Sequence, residues 1–440
     1  MSGAVVSGRE ATGQSDPAAG GRCTESRLAA FGYRDRTGGG VRPVLGVPSH
    51  RFILGPQADD SGGGSCWHPG CPWLGETVTA AGGADGYRDG MNAWAVHGVE
   101  LPFGDQIRSW WVDASGTKHD RPLPGAESLP GRFVLPGLAD AHAHPAVGVG
   151  PAGLVALGES AARANLIAWA KAGITVVRDT GSPEGITLEF TCGPGMPAVQ
   201  AAGRFLAPAG RYFPELLGAP VAEAELVSCA LAEISRGARW VKVIADFPDL
   251  AAGTDAEATY PVGAVAQLVA AVHQAGARVA VHSTVPGAGQ LVAAGVDSIE
   301  HGFGLDEAAI TDMARRGTAW TPTAAALLAL LNTPAMAPER RHRLQQGRER
   351  LAELLPKAVQ LGVPVLVGTD VTGSIPQEVA VLSQLGLEPA DALAAASVWP
   401  RRFLDTGATA DIVTYHHDPR QDPAQLAHPA AVVAGGTRLR

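Results

Sequence analysis

Two histidines one residue apart, His142 and His144, end the apolar run "VLPGLADAHAHPAVG" (134–148), with Asp140 just before them. On a β-strand, residues two apart share a face, so the two imidazoles project together and can chelate one metal ion. The same pair also occurs on solvated strands and in turns, so the rest of the chain has to decide its meaning. Other groups of the same chemistry close other apolar runs. "ITVVRD" ends in Arg178 and Asp179, "ARVAVHS" in His282, "VDSIEHG" in His301 and "VPVLVGTD" in Asp370.

Lys242 is the most informative of these residues. In "RWVKVIAD" (239–246) it stands among apolar neighbours, and alternation places it on the face opposite Val241 and Val243. A buried ammonium needs a partner, and burial depresses its pKa. A neutral lysine amine reacts with carbon dioxide to give a carbamate, whose two oxygens can bridge two cations. The alternatives are a lysine that snorkels to the strand end or pairs with Asp246. A second cluster, "CWHPGC" with Cys66, His68 and Cys71, lacks the second Cys/His pair that a zinc knuckle requires.

Positioning these groups calls for strands that all end on one side. Apolar runs lie at 135–144, 174–179, 196–203, 239–246, 277–283, 296–302, 317–323 and 363–370. Alanine-rich stretches of helical period separate them, as in "GAVAQLVAAVHQAG" (263–276). Eight strand-then-helix units predict an α/β chain with a (β/α)₈ TIM barrel over 136–404, whose chemistry sits at the carboxyl ends of the strands. An open dinucleotide-binding sheet is disfavoured because no Gly-x-Gly-x-x-Gly opens a helix after a strand. Strand signals flank the barrel on both sides and predict a small β-sandwich domain formed from 92–135 plus 405–440.

Residues 1–91 read differently. Of the 56 glycines, 20 fall in the first 90 residues, with no sustained periodicity, which predicts a disordered extension. The net charge of −9 comes with no basic stripe, so nucleic acid is not an expected partner. No apolar run reaches the ~18 residues of a membrane span. The start carries no basic-then-apolar leader pattern, and five cysteines do not form a disulfide framework, so a cytoplasmic location is expected.

Taken as a set, the motifs resemble the amidohydrolase superfamily: "PGLADAHAH" (136–144), "GITVVRD" (173–179), Lys242 on the fourth strand and "GTD" (368–370). The resemblance spans roughly 92–440 and is nearest the imidazolonepropionase-like and Xaa-Pro or Xaa-Arg dipeptidase-like branch. It implies a binuclear metal centre of two Zn²⁺. His142, His144 and Asp370 would hold one ion, His282 and His301 the other, and carboxylated Lys242 would bridge them. It also implies hydrolysis of a C–N bond in an amide, peptide or cyclic amide, with Asp370 as general base. The substrate would be a small amide or dipeptide-like molecule, and a homo-oligomer is compatible with the family.

Two other readings compete with this one. A deaminase on the same scaffold usually has a glutamate three residues after the fifth-strand histidine, where this chain has Val285. A non-catalytic barrel binding protein would be expected to lose ligands, and none is missing. The chain departs from the branch after the third strand, where "PAGRYF" replaces a Gly-His step. Arg204, Arg211 and Tyr212 are the candidate substrate contacts, with a solvated or structural role as the alternative for each arginine.

Overall fold

The structure, a computed structural model, describes residues 93–440 apart from Ala152, Thr191, Cys192, Pro194, Pro334, Ala335 and Ala408. The reading of 1–91 as an extension, and the Cys66–Cys71 cluster, lie outside the described residues.

Apolar runs, most of them preceded by a helix, build two arcs of parallel sheet. In the first, Leu138–Ala143 pairs with Ile174–Asp179, which pairs with Ala198–Ala201. In the second, the order is Phe205–Leu206, Trp240–Ile244, Arg278–Ser283, Ser298–His301 and Ala319–Thr321. Val241, Val243, Val279 and Val281 face the helices, where they pack with Val265, Leu268 and Val272. The helix Val262–Gln274 stops where Gly276 takes a left-handed φ of 78°, a conformation open to glycine without a Cβ clash. The next strand begins two residues later.

The arcs meet at two seams. Residues 198–206 form one segment whose first half pairs with Ile174–Asp179 and whose second half pairs with Trp240–Ile244. At the other seam, residues 363–370 touch both arcs through isolated bridges, Trp320 with Val365 and Ala143 with Asp370. Leu366 N–H donates to Trp320 O at 2.8 Å, and Asp370 N–H to His142 O at 2.8 Å.

The sequence reading expects an eighth strand here, but no regular ladder forms. The physical reason is competition from the end of the helix Pro389–Ala395. Val367 N–H donates to Ala395 O, and Ala139 N–H donates to Ala396 O, so helix-end carbonyls take amides that a ladder would use.

The flanks join in one hydrogen-bonded network of eight strands. Ile412–Tyr415 pairs antiparallel with Phe133–Leu135, which continues from Trp94–Glu100 and Ile107–Val112. Trp94, Val96, Trp110, Val134, Ile412 and Val433 are buried together in it. Among the described residues, no helix is long and apolar enough to cross a membrane.

Arg401 joins this sheet to the parallel arcs. It donates to Asp411 Oδ2 at 2.6 Å, to Thr409 Oγ1 at 3.0 Å, to Gly137 O at 3.2 Å, and to Thr175. Arg401→Met leaves the buried Asp411 carboxylate without its cation, and a broken buried pair costs about 3–5 kcal/mol. Urea denaturation should show the full loss in Arg401→Met and partial recovery when Asp411→Asn is added. An unchanged midpoint in the single variant would remove Arg401 as the joint.

Candidate metal centre

The carboxyl ends of the parallel strands converge on one buried cluster. Strand alternation puts Asp140 and His142 on the inner face of Leu138–Ala143, and His144 follows directly. The two imidazoles stand at right angles with their Nε2 atoms 3.2 Å apart. Each Nδ1 is already committed. His142 Nδ1 lies 2.7 Å from Glu300 Oε2, and His144 Nδ1 lies 2.8 Å from Gly181 O. A carbonyl and a carboxylate can only accept, so both Nδ1 atoms carry the proton and donate it. Both Nε2 atoms are then unprotonated lone pairs facing one another, with the Thr180 hydroxyl 3.5 Å from that of His144.

Neither histidine escapes this conflict by taking a second proton. Burial, and next the positive charge of Lys242, hold His142 well below its ordinary value. Burial also lowers His144, partly offset by Asp370, whose Oδ1 lies 3.6 Å from its Nε2. Two neutral nitrogen donors aimed at one point, beside a carboxylate, form a cation's coordination shell.

His301 and His282 complete the cluster. Their ring centroids are 4.4 Å apart, and His301 is 5.0 Å from His142. His282 is pushed down to about 3 by burial and by Lys242, and His301 well below its ordinary value by burial and its neighbouring histidines. Candidate ligand atoms of His142, His301 and Asp370 all lie within 4.8 Å of one another.

Alternation alone would turn His301 away from Glu300, the residue before it. A left-handed φ of 68° at His301 brings it back to the same side, and Asp370 with φ 55° makes a similar corner. Such non-glycine corners cost roughly 1–3 kcal/mol each and cluster at functional sites. The close packing also requires Gly368, because a Cβ there would lie 2.4 Å from His142 Cβ.

Lys242 sits inside this ring of groups, fully buried, and its Nζ has no hydrogen-bond partner among the described residues. Burial lowers its pKa to about 8, despite the opposing charges of Glu300 and Asp370. It does not pair with Asp246, which instead accepts from Thr284 N–H and its hydroxyl at 2.9 and 2.7 Å.

Supporting groups fix the histidines, and of these Glu300, Thr323 and Glu378 were not singled out in the sequence. Glu300 bridges His142 and Arg178, with Arg178 donating to Glu300 Oε1 at 2.7 Å, to Thr321 Oγ1 at 3.1 Å and to Ser298 Oγ at 3.3 Å. Thr323 Oγ1 lies 2.7 Å from His301 Nδ1. Glu378 accepts from Ala324 and Ala325 N–H at 2.7 Å each, which fixes the helix that begins beside Thr323. Asp140 is pushed up to about 7 by burial and accepts from Thr369 Oγ1 at 2.6 Å, which ties the first strand to the segment carrying Asp370. A signal for Glu300 was present: an acid in the apolar run "VDSIEHG", on the same face as Ser298.

The three candidate substrate contacts separate. Arg204 is paired with buried Glu233 at 2.8 Å, and Arg211 with Glu257 at 2.9 Å. Tyr212 packs on Phe205 at 4.8 Å between centroids, and Phe205 in turn lies 5.5 Å from His144.

The model of the amidohydrolase family matches residues 133–437. An uncharacterized protein of Mycobacterium tuberculosis (strain ATCC 25618 / H37Rv) is 35% identical over 366 residues, covering 78% of this chain and 94% of the relative. Among solved structures, a Xaa-Pro dipeptidase with bound methionine in the active site superposes with a TM-score of 0.65 at 20% identity. That match covers 79% of this chain and 100% of the other. The A. niger ochratoxinase superposes with a TM-score of 0.65 at 18% identity, covering 80% of this chain and 96% of the other.

Glu300 is expected to position His142 through its tautomer. Glu300→Gln removes the charge that Arg178 and His142 share, and loss of such a partner weakens metal binding by roughly 10–100-fold. Competition against a zinc chelator measures this without any substrate. Wild-type zinc affinity in the variant would show that the carboxylate does not orient the ligand.

Proposed function

Because the chain belongs to the amidohydrolase family, we propose that it is a metal-dependent hydrolase that cleaves the C–N bond of an amide, peptide or cyclic amide. The observation that carries this reading is the pair of unprotonated Nε2 atoms 3.2 Å apart, held neutral by burial, next to an orphaned buried lysine amine. Without a cation, both features are electrostatic penalties. His142, His144 and Asp370 would hold one divalent ion and His282 and His301 a second, with the carbamate of Lys242 between them. Zinc suits these nitrogen and oxygen donors. When bound, the ions polarise the scissile carbonyl and make water acidic enough to supply hydroxide near neutrality.

The chain's own groups do the remaining work. Lys242, with a pKa near 8, has a substantial neutral fraction at physiological pH, which is the form that takes up carbon dioxide. Asp370 is the one carboxylate of the cluster that stays part-exposed, with a side-chain exposure of 26%, so it can receive a proton from water and pass it to the leaving amine. His142 and His144 keep their protons on Nδ1 throughout. Deamination is the weaker reading because Val285 stands where such enzymes usually carry a glutamate. The same reading takes 136–404 as a closed (β/α)₈ barrel and assigns a small-molecule substrate.

Asp370→Asn should lower kcat for amide hydrolysis by roughly 10²-fold or more, with a smaller change in KM, because a general base acts on the chemical step. Metal analysis of the same sample should find most of the metal retained. Lys242→Ala should lose metal and activity together, with partial return on adding a short carboxylic acid. Wild-type turnover in Asp370→Asn, or full metal occupancy in Lys242→Ala, would overturn the assignment.

A further inference from the structure

We propose that residues 248–259 form a strap across the mouth of the metal centre, latched by the ion pair of Asp255 with Arg343, and that release of this latch admits substrate. The proposal rests on the hydrolase reading above for the existence of a substrate, and adds how the centre is reached.

Topology lays the strap across the cluster. It leaves the carboxyl end of the strand Trp240–Ile244, which carries Lys242, and returns through the hairpin of Asp246–Phe247 with Glu257–Ala258. Arg343 stands in the second turn of the helix Pro338–Gln360, which comes after the strand Ala319–Thr321 in the chain. Between those two strands the sheet order places Arg278–Ser283 and Ser298–His301, the strands that carry His282 and His301. A link from Asp255 to Arg343 therefore spans the ends of both. At the root of the strap, Phe247 lies 5.8 Å from His282.

Charge holds the strap more than packing does. Phe247 and Tyr260 are buried, but no residue from 248 to 259 is, and Leu250 stays 45% exposed. Asp249 closes a turn within the strap by accepting from Ala251 and Ala252 N–H at 3.0 and 2.9 Å. The ties to neighbouring elements are polar. Arg343 donates to both carboxylate oxygens of Asp255, at 2.5 and 3.1 Å. On the other side, Arg211 donates to Glu257 Oε1 at 2.9 Å and to Glu257 O at 2.8 Å, while its buried Nε has no partner among the described residues. The root is fixed through backbone, with Thr259 N–H donating to Ala245 O at 3.0 Å.

A segment with few buried apolar contacts opens at low free energy, and active-site lids are drawn from such segments. The centre needs one, because His142, His144, Lys242 and His301 are all buried. The Asp255 and Arg343 side chains are 73% and 50% exposed, so their pair is weak and screened by salt. Its two-point geometry still gives the closed position a direction. Such a latch biases the strap toward closure without locking it.

The test follows removal of zinc from the loaded full-length protein by 1,10-phenanthroline, an uncharged chelator. Arg343→Ala should speed removal about two- to fivefold, the worth of one exposed pair. It should also flatten the acceleration that the wild type shows between about 0.05 and 0.5 M salt. Exchanging the charges, Asp255→Arg with Arg343→Asp, should restore the slow rate. Wild-type removal kinetics and salt response in Arg343→Ala overturn the proposal, as does a charge exchange no slower than the single variant.

Amide hydrogen exchange separates the strap from the hydrolase reading. If the protein takes up no zinc, the hydrolase reading fails. Amides of 247–259 should even then exchange faster in Arg343→Ala than in the wild type, with those of the helix Val262–Gln274 unchanged. Equal exchange across 247–259 would refute the latch.

Discussion

Two lone pairs directed at the same point organise this molecule. His142 and His144 are each held by an acceptor on Nδ1, so their Nε2 atoms meet unprotonated at 3.2 Å. In water such nitrogens would turn apart or pick up a proton. Here burial blocks protonation, and the Glu300 and Gly181 contacts block rotation. The protein maintains an unfavourable contact that a cation reverses, which is preorganisation in the electrostatic sense. Lys242 repeats the logic with an amine, stranded in an apolar interior until chemistry changes its charge.

The rest of the structure can be followed outward from that contact. Glu300 needs a cation behind it, and Arg178 supplies one; Arg178 in turn lies 4.6 Å over the ring of Trp240 inside the sheet. His301 needs a backbone corner and a hydroxyl, and Thr323 provides the latter from a position itself at φ 45°. Glu378 braces that position through a helix N-terminus, and Asp140 braces the opposite side through Thr369. Each buried acid thus carries hydrogen bonds from the residues whose backbone must not move.

Much of this was legible in the sequence, for reasons of periodicity. Apolar runs such as 174–179 coincide with a strand, because residues buried on both faces give a continuous signal. The placement of Lys242 opposite Val241 and Val243 followed from the two-residue alternation of a strand. What escaped was non-local. Nothing within "VPVLVGTD" says that helix-end carbonyls from 395 and 396 intercept the amides of its would-be ladder. The left-handed corner at His301 breaks the alternation that would otherwise predict its direction. The partners of Arg204 and Arg211 lie 29 and 46 residues away, so their engagement was invisible to local spacing.

The corners at His301, Thr323 and Asp370 also set a limit on engineering. Each is a non-glycine residue held at positive φ, and relaxing any of them would make the chain easier to fold. Glycine at 323 removes the strain together with the hydroxyl beside His301, while at 301 or 370 it removes a donor of the cluster. A search for thermostable variants of this protein would therefore be drawn toward the very positions that aim the centre. Heat resistance gained there would come from loosening its aim.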